Sequence, residues 1–227
     1  MTAPLALVQQ HIVDCTRCRR LRTYCRRVAR VKKRAHAADD YWGRPVPGFG
    51  DGEARLLILG LAPAAHGANR TGRVFTGDGS GDFLMRALHD SRFASIPTSR
   101  RSDDGLVLTD AYIAAAVRCA PPDNKPLPAE IRACQPHLDA EWAALPRLRV
   151  VVALGRIAFD AALSLFERNG QVLRPRPHFA HGAERRVPGG PLLIASYHPS
   201  RQNTNTGRLT AAMLMAVFER ARSELIG

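Results

Sequence analysis

The sequence lacks any apolar run of the roughly 18 residues that a membrane-spanning helix needs. Its first residues also lack the basic stretch and long apolar core of a secretory signal. It contains no internal repeat and no low-complexity segment. These absences argue against a membrane protein, a secreted protein and a repeat array, so we expect a cytoplasmic protein that contacts no membrane.

Acidic residues are scarce relative to basic ones. The chain has 20 Asp and Glu against 33 Lys and Arg, which gives a formal net charge of +13 and a sequence pI of ≈ 10.7. Such an excess favours a polyanionic partner, because each neutralised phosphate releases condensed counterions. The 45% hydrophobic share is normal for a globular protein. The length fits a single domain over residues 1–227, and we expect a monomer.

Only five cysteines are present, and in a reducing compartment they argue against a disulfide framework. Cys15 and Cys18 are separated by two residues, and Cys119 and Cys134 form a second, wider pair. Four thiolates from two distant segments suit a tetrahedral zinc ion or a four-iron cluster, and the chemistry alone does not choose between them. Cys25 is left over, either as a plain thiol or as a replacement for Cys15 or Cys18.

Apolar runs of strand length alternate with segments of helical periodicity. This alternation predicts an α/β fold, a single three-layer α/β/α domain around a four-stranded parallel sheet. Residues 169–190, rich in Pro, Gly and His, are expected to be irregular. The predicted strands are 55–60, 112–117, 150–155 and 192–196, and the predicted helices are 4–30, 81–90, one that begins after the Pro-rich loop 120–128, 157–168 and 209–226.

Two long loops, 61–79 and 197–207, follow the first and last predicted strands. Parallel strands that end together place such loops on one edge, where open α/β sheets bind ligands. The first loop carries glycines, arginines, an aromatic ring and a carboxylate, and the second carries a histidine and small polar groups. This set of side chains suits a phosphodiester and a planar base.

These loops carry a resemblance to a known family. The segment from Gly60 to Arg73 (GLAPAAHGANRTGR), then Phe75-Thr76-Gly77-Asp78 and His198-Pro199-Ser200, resembles the motifs of the uracil-DNA glycosylase superfamily, in particular its family 5, the type-b enzymes that carry an iron–sulfur cluster. The resemblance implies hydrolysis of the N-glycosidic bond of uracil, and of hypoxanthine and other altered bases, in single- and double-stranded DNA. An abasic site would remain. No lysine stands in a matching position for lyase chemistry.

The resemblance also implies a [4Fe-4S] cluster on Cys15, Cys18, Cys119 and Cys134. Its role would be structural, since it would tie the N-terminal helix to the Pro-rich loop. The same residues leave open an alternative function, a nucleic-acid binding module that carries a metal cluster and has no catalytic activity. A nucleotide hydrolase is disfavoured because the Gly-Lys-Ser/Thr of a phosphate-binding loop is absent.

Three residues are the candidate catalytic groups. His198 would donate a hydrogen bond to the oxygen of the leaving base, where negative charge develops. Asp78 would stabilise the sugar cation or orient water, or it would cap a helix, and both roles are compatible. Asn124 would supply a missing amide by analogy with family 5, although an Asn in a Pro-rich turn is also an ordinary turn residue.

The remaining candidates are substrate-binding residues. Phe75 is expected to stack on the extruded base. Alanines replace the acidic or amide residue of the first motif at Ala62, Ala64 and Ala65, and Ala115 replaces a base-reading Asn, so the pocket should be roomy. His178 and His181 are expected to have no chemical role. The predicted contacts are Gly60, Ala62 and Ala64 in the pocket, His66, Asn69, Arg70, Arg73 and Ser200 on phosphates, and Arg201, Gln202 and Asn203 as a wedge in the duplex.

Overall fold

A computed structural model describes residues 4–226, and it contains one mixed sheet between two layers of helices. Within the described residues the strand order is β1-β3-β2-β4-β6-β5. The α/β class and the three-layer arrangement are therefore confirmed. The strands are β1 Phe49–Gly50, β2 Leu56–Gly60, β3 Ala111–Ala115, β4 Val150–Leu154, β5 Glu184–Arg186 and β6 Leu192–Ser196.

The four central strands are parallel, as predicted, and every residue in them is buried. Ile58 aligns with Ile113 and Val152, and Val152 aligns with Ile194, so the carboxyl ends of these strands meet at one edge. The prediction of only four strands was wrong, because β1 and β5 add antiparallel edges. β1 has two residues and β5 is fully exposed and charged, so neither produces an apolar run.

Eight α-helices lie in the described part of the chain. One face of the sheet packs on α4 and α8 through residues such as Leu84 and Phe218, and the other packs on α5 and α6 through Leu138 and Phe166. None of these helices is long and apolar enough to cross a bilayer. The helices are α1 Leu5–Val13, α2 Arg19–Val31, α3 Ala68–Thr71, α4 Gly79–Asp90, α5 Pro128–Ala143, α6 Arg156–Arg168, α7 Arg201–Asn205 and α8 Ala211–Ile226.

The N-terminal segment differs from the single helix predicted over 4–30. It forms α1 and α2, and the break between them contains Cys15 and Cys18. Cys18 has φ −100° and ψ 87°, which is not a helical conformation. Helical periodicity on both sides of the break hid this interruption. Leu21 and Cys25 on α2 then pack against Val117, Cys119 and Cys134 in a separate small apolar cluster.

Candidate active site

The two predicted loops meet at a cavity of ≈ 380 Å³ at the carboxyl ends of β2, β3 and β6. Both apolar and polar groups line it, as in a pocket for a planar ligand with a few specific hydrogen-bonding atoms. The lining residues are Gly60, Leu61, Ala62, Pro63, Ala64, Ala68, Val74, Phe75, Asp78, Ser80, Ala115, Asp123, Asn124, His198, Ser200 and Gln202.

Phe75 stands beside His198 in this cavity. The ring centroids are 5.7 Å apart and the ring planes differ by 29°, a stacked arrangement. Phe75 has φ +49°, a strained value for a bulky residue. Gly60 makes its position possible, since a Cβ there would lie 2.8 Å from Cε2 of the ring. The aromatic wall therefore depends on a glycine at the end of β2.

His198 is a neutral imidazole at neutral pH. Burial lowers the pKa of His198 from its ordinary value of 6.5 to about 4. Its loop is fixed from behind, because Asn203 Nδ2 donates to the His198 carbonyl at 2.9 Å and Ser200 Oγ accepts from Asn203 N at 3.4 Å. Gly155 leaves room for the ring, since a Cβ there would lie 3.3 Å from His198 Cβ.

Asp78 caps helix α4. Its Oδ1 accepts hydrogen bonds from the Ser80 and Gly81 N–H groups, both at 3.0 Å. Among the described residues, none hydrogen-bonds Oδ2, which lies against Gly67. Burial raises the pKa of Asp78, with Asp82 adding to the effect, while the two N–H donors and Arg201 oppose it. One carboxylate oxygen thus caps the helix and the other is free of hydrogen bonds to the described residues, while Asp78 lines the cavity.

Asn124 also lines the cavity, at the end of a short 3₁₀ turn over Pro122–Asn124. Asp123 and Asn124 have φ +53° and +56°. Ala62, Ala64 and Ala115 complete the lining, and none of these three side chains can make a hydrogen bond. Asn124 therefore provides the only side-chain amide besides Gln202 among the described lining residues.

Two predicted phosphate contacts were wrong, because the side chains are committed to the interior. Asn69 is fully buried, and its Nδ2 donates to the carbonyls of Cys25 and Ala65. Arg73 is only 5% exposed, and its Nη2 donates to both carboxylate oxygens of Asp104, at 2.7 and 2.8 Å. Arg73 also donates to Thr76 Oγ1 and Ser99 Oγ. The glycines near Asn69 and Arg73 suggested an open loop. The two side chains instead stabilise the conformation of the motif loop.

Arg70 is likewise occupied. It pairs with Asp39 at 2.8 Å and donates to the carbonyls of His66 and Gly77.

A second groove of ≈ 430 Å³ adjoins the cavity and shares Ala64, Asp78 and Asn124 with it.

The adjoining groove is lined on the helix α2 side by basic groups. Burial lowers the pKa of His66, and Lys33, His36 and Arg70 lower it further. Tyr41 Oη lies 3.0 Å from His66 Nδ1. Lys33 and Arg201, which line the same groove, have no acidic partner within residues 4–226.

The three residues predicted to enter the duplex, Arg201, Gln202 and Asn203, have two different environments. Arg201 and Gln202 begin helix α7 with exposed side chains, and Gln202 reaches the cavity. Asn203 instead donates to the His198 carbonyl, so its side chain holds the His198 loop and does not point toward a duplex. Sequence reasoning assigned all three residues one role because they are consecutive.

His181 has a structural role that the sequence did not reveal. Its Nδ1 accepts a hydrogen bond from the Tyr197 N–H at 3.2 Å, and its ring stacks on Tyr197 with centroids 5.2 Å apart. It therefore supports the residue next to His198. No local pattern marks this contact, because His181 lies 16 residues away in an irregular segment.

The cysteines of the two predicted pairs come together beside α2. Burial raises the pKa of Cys18 to about 11, and the nearby thiols of Cys134, Cys119 and Cys15 add to the effect. Arg22, itself buried, approaches Cys119 Sγ with its Nη1 at 4.0 Å. Within residues 4–226, no three His, Cys, Asp or Glu side chains are arranged to hold a single metal ion.

Four cysteine thiols are a donor set that both a zinc ion and an iron–sulfur cluster can use. Cys25 is fully buried, and its Sγ donates to the Ala120 carbonyl at 3.6 Å. Cys25 lies on α2 and packs in the same cluster as Cys119 and Cys134.

Comparison with known proteins agrees with this geometry. The profile of the Uracil DNA glycosylase superfamily matches residues 47–222, which include both loops and all four central strands. The fold is that of a DNA glycosylase of this class, and the chain belongs to the uracil-DNA glycosylase superfamily.

Curated relatives narrow the assignment. The type-5 uracil-DNA glycosylase of Thermus thermophilus is 52% identical over 214 residues, which cover 94% of each chain. That of Mycobacterium tuberculosis is 51% identical over 209 residues, 92% of this chain and 77% of its own. That of Pyrobaculum aerophilum is 43% identical over 213 residues, 94% and 90%. Within the superfamily, the chain belongs to the type-5 branch.

Proposed function

We propose that this protein is a uracil-DNA glycosylase that hydrolyses the N-glycosidic bond of uracil in DNA and leaves an abasic site. The observation that carries the proposal is the single pocket that brings Phe75, His198, Asp78 and Asn124 together at the carboxyl edge of the sheet. The naming of its relatives as uracil-DNA glycosylases supports the same activity.

The roles of the side chains follow from their positions. Phe75 stacks on the flipped base, and the neutral His198 donates an N–H to the base oxygen that becomes negative. A neutral donor suffices because the charge develops only as the bond to C1′ breaks. The free Oδ2 of Asp78 faces the sugar, where it stabilises the cationic C1′ and orients water. Asn124 binds the base edge through its amide.

The reaction is a simple hydrolysis. The C1′–N bond breaks and its electron pair leaves with the base, while the oxygen of water bonds to C1′. The proton released from water ends on the departing base anion. Because no lysine lines the cavity among the described residues, no amine is available for a Schiff base. The proposed enzyme is therefore monofunctional and has no lyase activity.

The proposed substrates extend beyond uracil. Ala62 and Ala115 provide no side-chain hydrogen bonds to select one base edge, and the cavity of ≈ 380 Å³ has room for a bicyclic base. Hypoxanthine and other altered bases in single- and double-stranded DNA are thus included in the proposal. Selectivity would depend on how easily the damaged base leaves the helix.

The proposed cofactor is a [4Fe-4S] cluster on Cys15, Cys18, Cys119 and Cys134. In support, the two pairs converge although one pair precedes β1 and the other follows β3 in the chain. When bound, such a cluster supplies a cross-link and not a reaction step. It would hold the break between α1 and α2 against the segment that follows β3, and that segment leads to Asn124.

The proposal is tested by base release from labelled oligonucleotides. Substrates would carry uracil, hypoxanthine or, as a control, thymine, each single-stranded and paired. We expect uracil-containing strands to break only after alkali, since alkali cleaves an abasic site. Breakage without alkali would disprove the monofunctional mechanism. Tight binding of DNA with no base release under single-turnover conditions would favour the alternative, a cluster-bearing binding module.

A further inference from the structure

Three aromatic rings form a continuous row beside the His198 loop. His181 stacks on Tyr197 at 5.2 Å, and Phe179 lies 6.1 Å from Tyr197 between centroids. All three residues are half-buried. Phe179 is anchored below by Phe159, at 5.6 Å. The row therefore has a rigid base and an accessible outer side.

One guanidinium lies over an end of this row and another lies over its central ring. Arg156 Cζ is 5.2 Å from the Phe179 ring centroid, and Arg208 Cζ is 4.6 Å from that of Tyr197. Both distances are within the range of a cation–π contact. We name these five residues the aryl-arginine strip: Arg156, Phe179, His181, Tyr197 and Arg208.

The guanidiniums of the two strip arginines are open to a ligand. Both are exposed, and neither has an acidic partner or a hydrogen bond within residues 4–226. Arg55, Arg118 and Arg168, by contrast, each pair with a carboxylate. A guanidinium held flat on a ring has already lost rotamer freedom, while its N–H edge stays open to an oxyanion.

The strip adjoins the loop that carries His198, and His198 lines the cavity. Tyr197 precedes His198, and Arg156 follows Gly155, which touches His198. It lies on the β4 and β6 side, whereas the groove with Lys33 and His66 lies on the α2 side. A strand whose flipped nucleotide enters the cavity must leave the cavity in both directions. The two unpaired arginines are therefore positioned along one of those directions.

We propose that the aryl-arginine strip binds the backbone phosphates of the damaged strand, with Arg156 and Arg208 as the phosphate contacts and the rings as their supports. The proposal rests on the proposed function, because it is the flipped nucleotide that brings the strand to this edge. The ligand is a phosphodiester chain, and the contact is independent of base sequence.

The test measures how duplex affinity depends on salt, with uracil-free DNA and fluorescence anisotropy. Each lost phosphate contact should reduce the slope of log K against log salt by about 0.9. Arg156→Ala with Arg208→Ala should therefore reduce the slope by about two such steps, and each single Gln variant by one. Arg147→Ala is the matched control, since Arg147 lies before β4 at the opposite edge of the sheet. Its slope should equal that of the wild type.

A substitution of Phe179 distinguishes the supporting role of the ring from the phosphate contact of the arginine. Phe179→Leu keeps Arg156 but removes its platform, so affinity should fall several-fold with a slope that remains closer to the wild type than that of Arg156→Gln. A double arginine variant with the wild-type slope would overturn the proposal. If the double variant loses about two steps of slope but the wild type releases no uracil, the proposed function fails and the phosphate contacts of the strip stand. If it releases uracil and the double variant keeps the wild-type slope, the strip fails and the glycosylase stands.

Discussion

Replacing Asp78 by Asn separates the two roles of this side chain. In the folded protein Oδ1 receives two helix N–H groups at 3.0 Å, and the amide oxygen of Asn can accept both. Asn and Asp are nearly equal as helix caps, so the free energy of unfolding should change by no more than about 0.5 kcal/mol. Asp78→Ala, which loses the cap entirely, should cost about 1 kcal/mol.

The rate of base release should respond very differently. Asp78→Asn replaces the negatively charged Oδ2 by a neutral donor beside the sugar, where positive charge develops. A lost electrostatic or base contribution of this kind is worth about 10²- to 10⁴-fold in rate. The wild-type rate should also fall as the pH is lowered through the raised pKa of Asp78, since protonation neutralises the carboxylate. The Asn variant should lack this dependence.

The assay is single-turnover uracil release from pH 4 to 8, together with chemical unfolding of each variant. Asp82→Asn is the matched control: it removes the same charge one turn along α4, and Asp82 accepts a hydrogen bond from Ser99 N that Asn can also accept. Its rate should be within a few-fold of the wild type. An Asp78→Asn enzyme with the wild-type rate and stability would show that the carboxylate is only a cap.

Three further expectations follow from the same structure. His198→Ala should slow base release by about a hundredfold or more with little change in duplex affinity, as single-turnover kinetics and anisotropy would show. Anaerobically purified protein should be brown and contain iron, and Cys25→Ser should retain the iron; stoichiometric zinc without iron would contradict the cluster. The free energy of unfolding should decrease as the pH falls from about 6.5 to 4, because the folded state keeps His198 and His137 neutral with pKa values of about 4 while the unfolded chain takes up protons. Denaturant titrations across this range measure the decrease, and a flat profile would contradict it.

The sequence allowed prediction of those features that depend on short local patterns. The four parallel strands were visible as uninterrupted apolar runs, and the loops after the first and last of them were correctly expected at one edge. Phe75, Asp78 and His198 could be brought together on that basis, since the carboxyl ends of parallel strands meet. The break between α1 and α2 was not visible, because a helical pattern continues on each side of Cys15 and Cys18.

What the sequence could not show is which polar side chains are already occupied. In the sequence, Arg73 in the glycine-containing motif loop and Arg201 in the polar loop look alike. In the structure Arg73 is bound by Asp104, whereas Arg201 has no acidic partner in the described chain. Asp104 lies 31 positions beyond Arg73 in the sequence. The ion-pair partner of a charged residue depends on the tertiary structure, so a local sequence motif contains no information about it.

The cavity also depends on backbone conformations that local preference disfavours. Phe75, Asp123 and Asn124 all have positive φ, and all three line the same cavity. Asn tolerates this region, but for Phe it costs of order 1–3 kcal/mol, which the rest of the fold must offset. Gly60 and Gly81 leave the space that this conformation of Phe75 needs. A Cβ at Gly60 would collide with the Phe75 ring, and a Cβ at Gly81 would collide with the Phe75 carbonyl. The glycines of the motif therefore act by holding the aromatic wall in a strained position that the chain would not adopt alone.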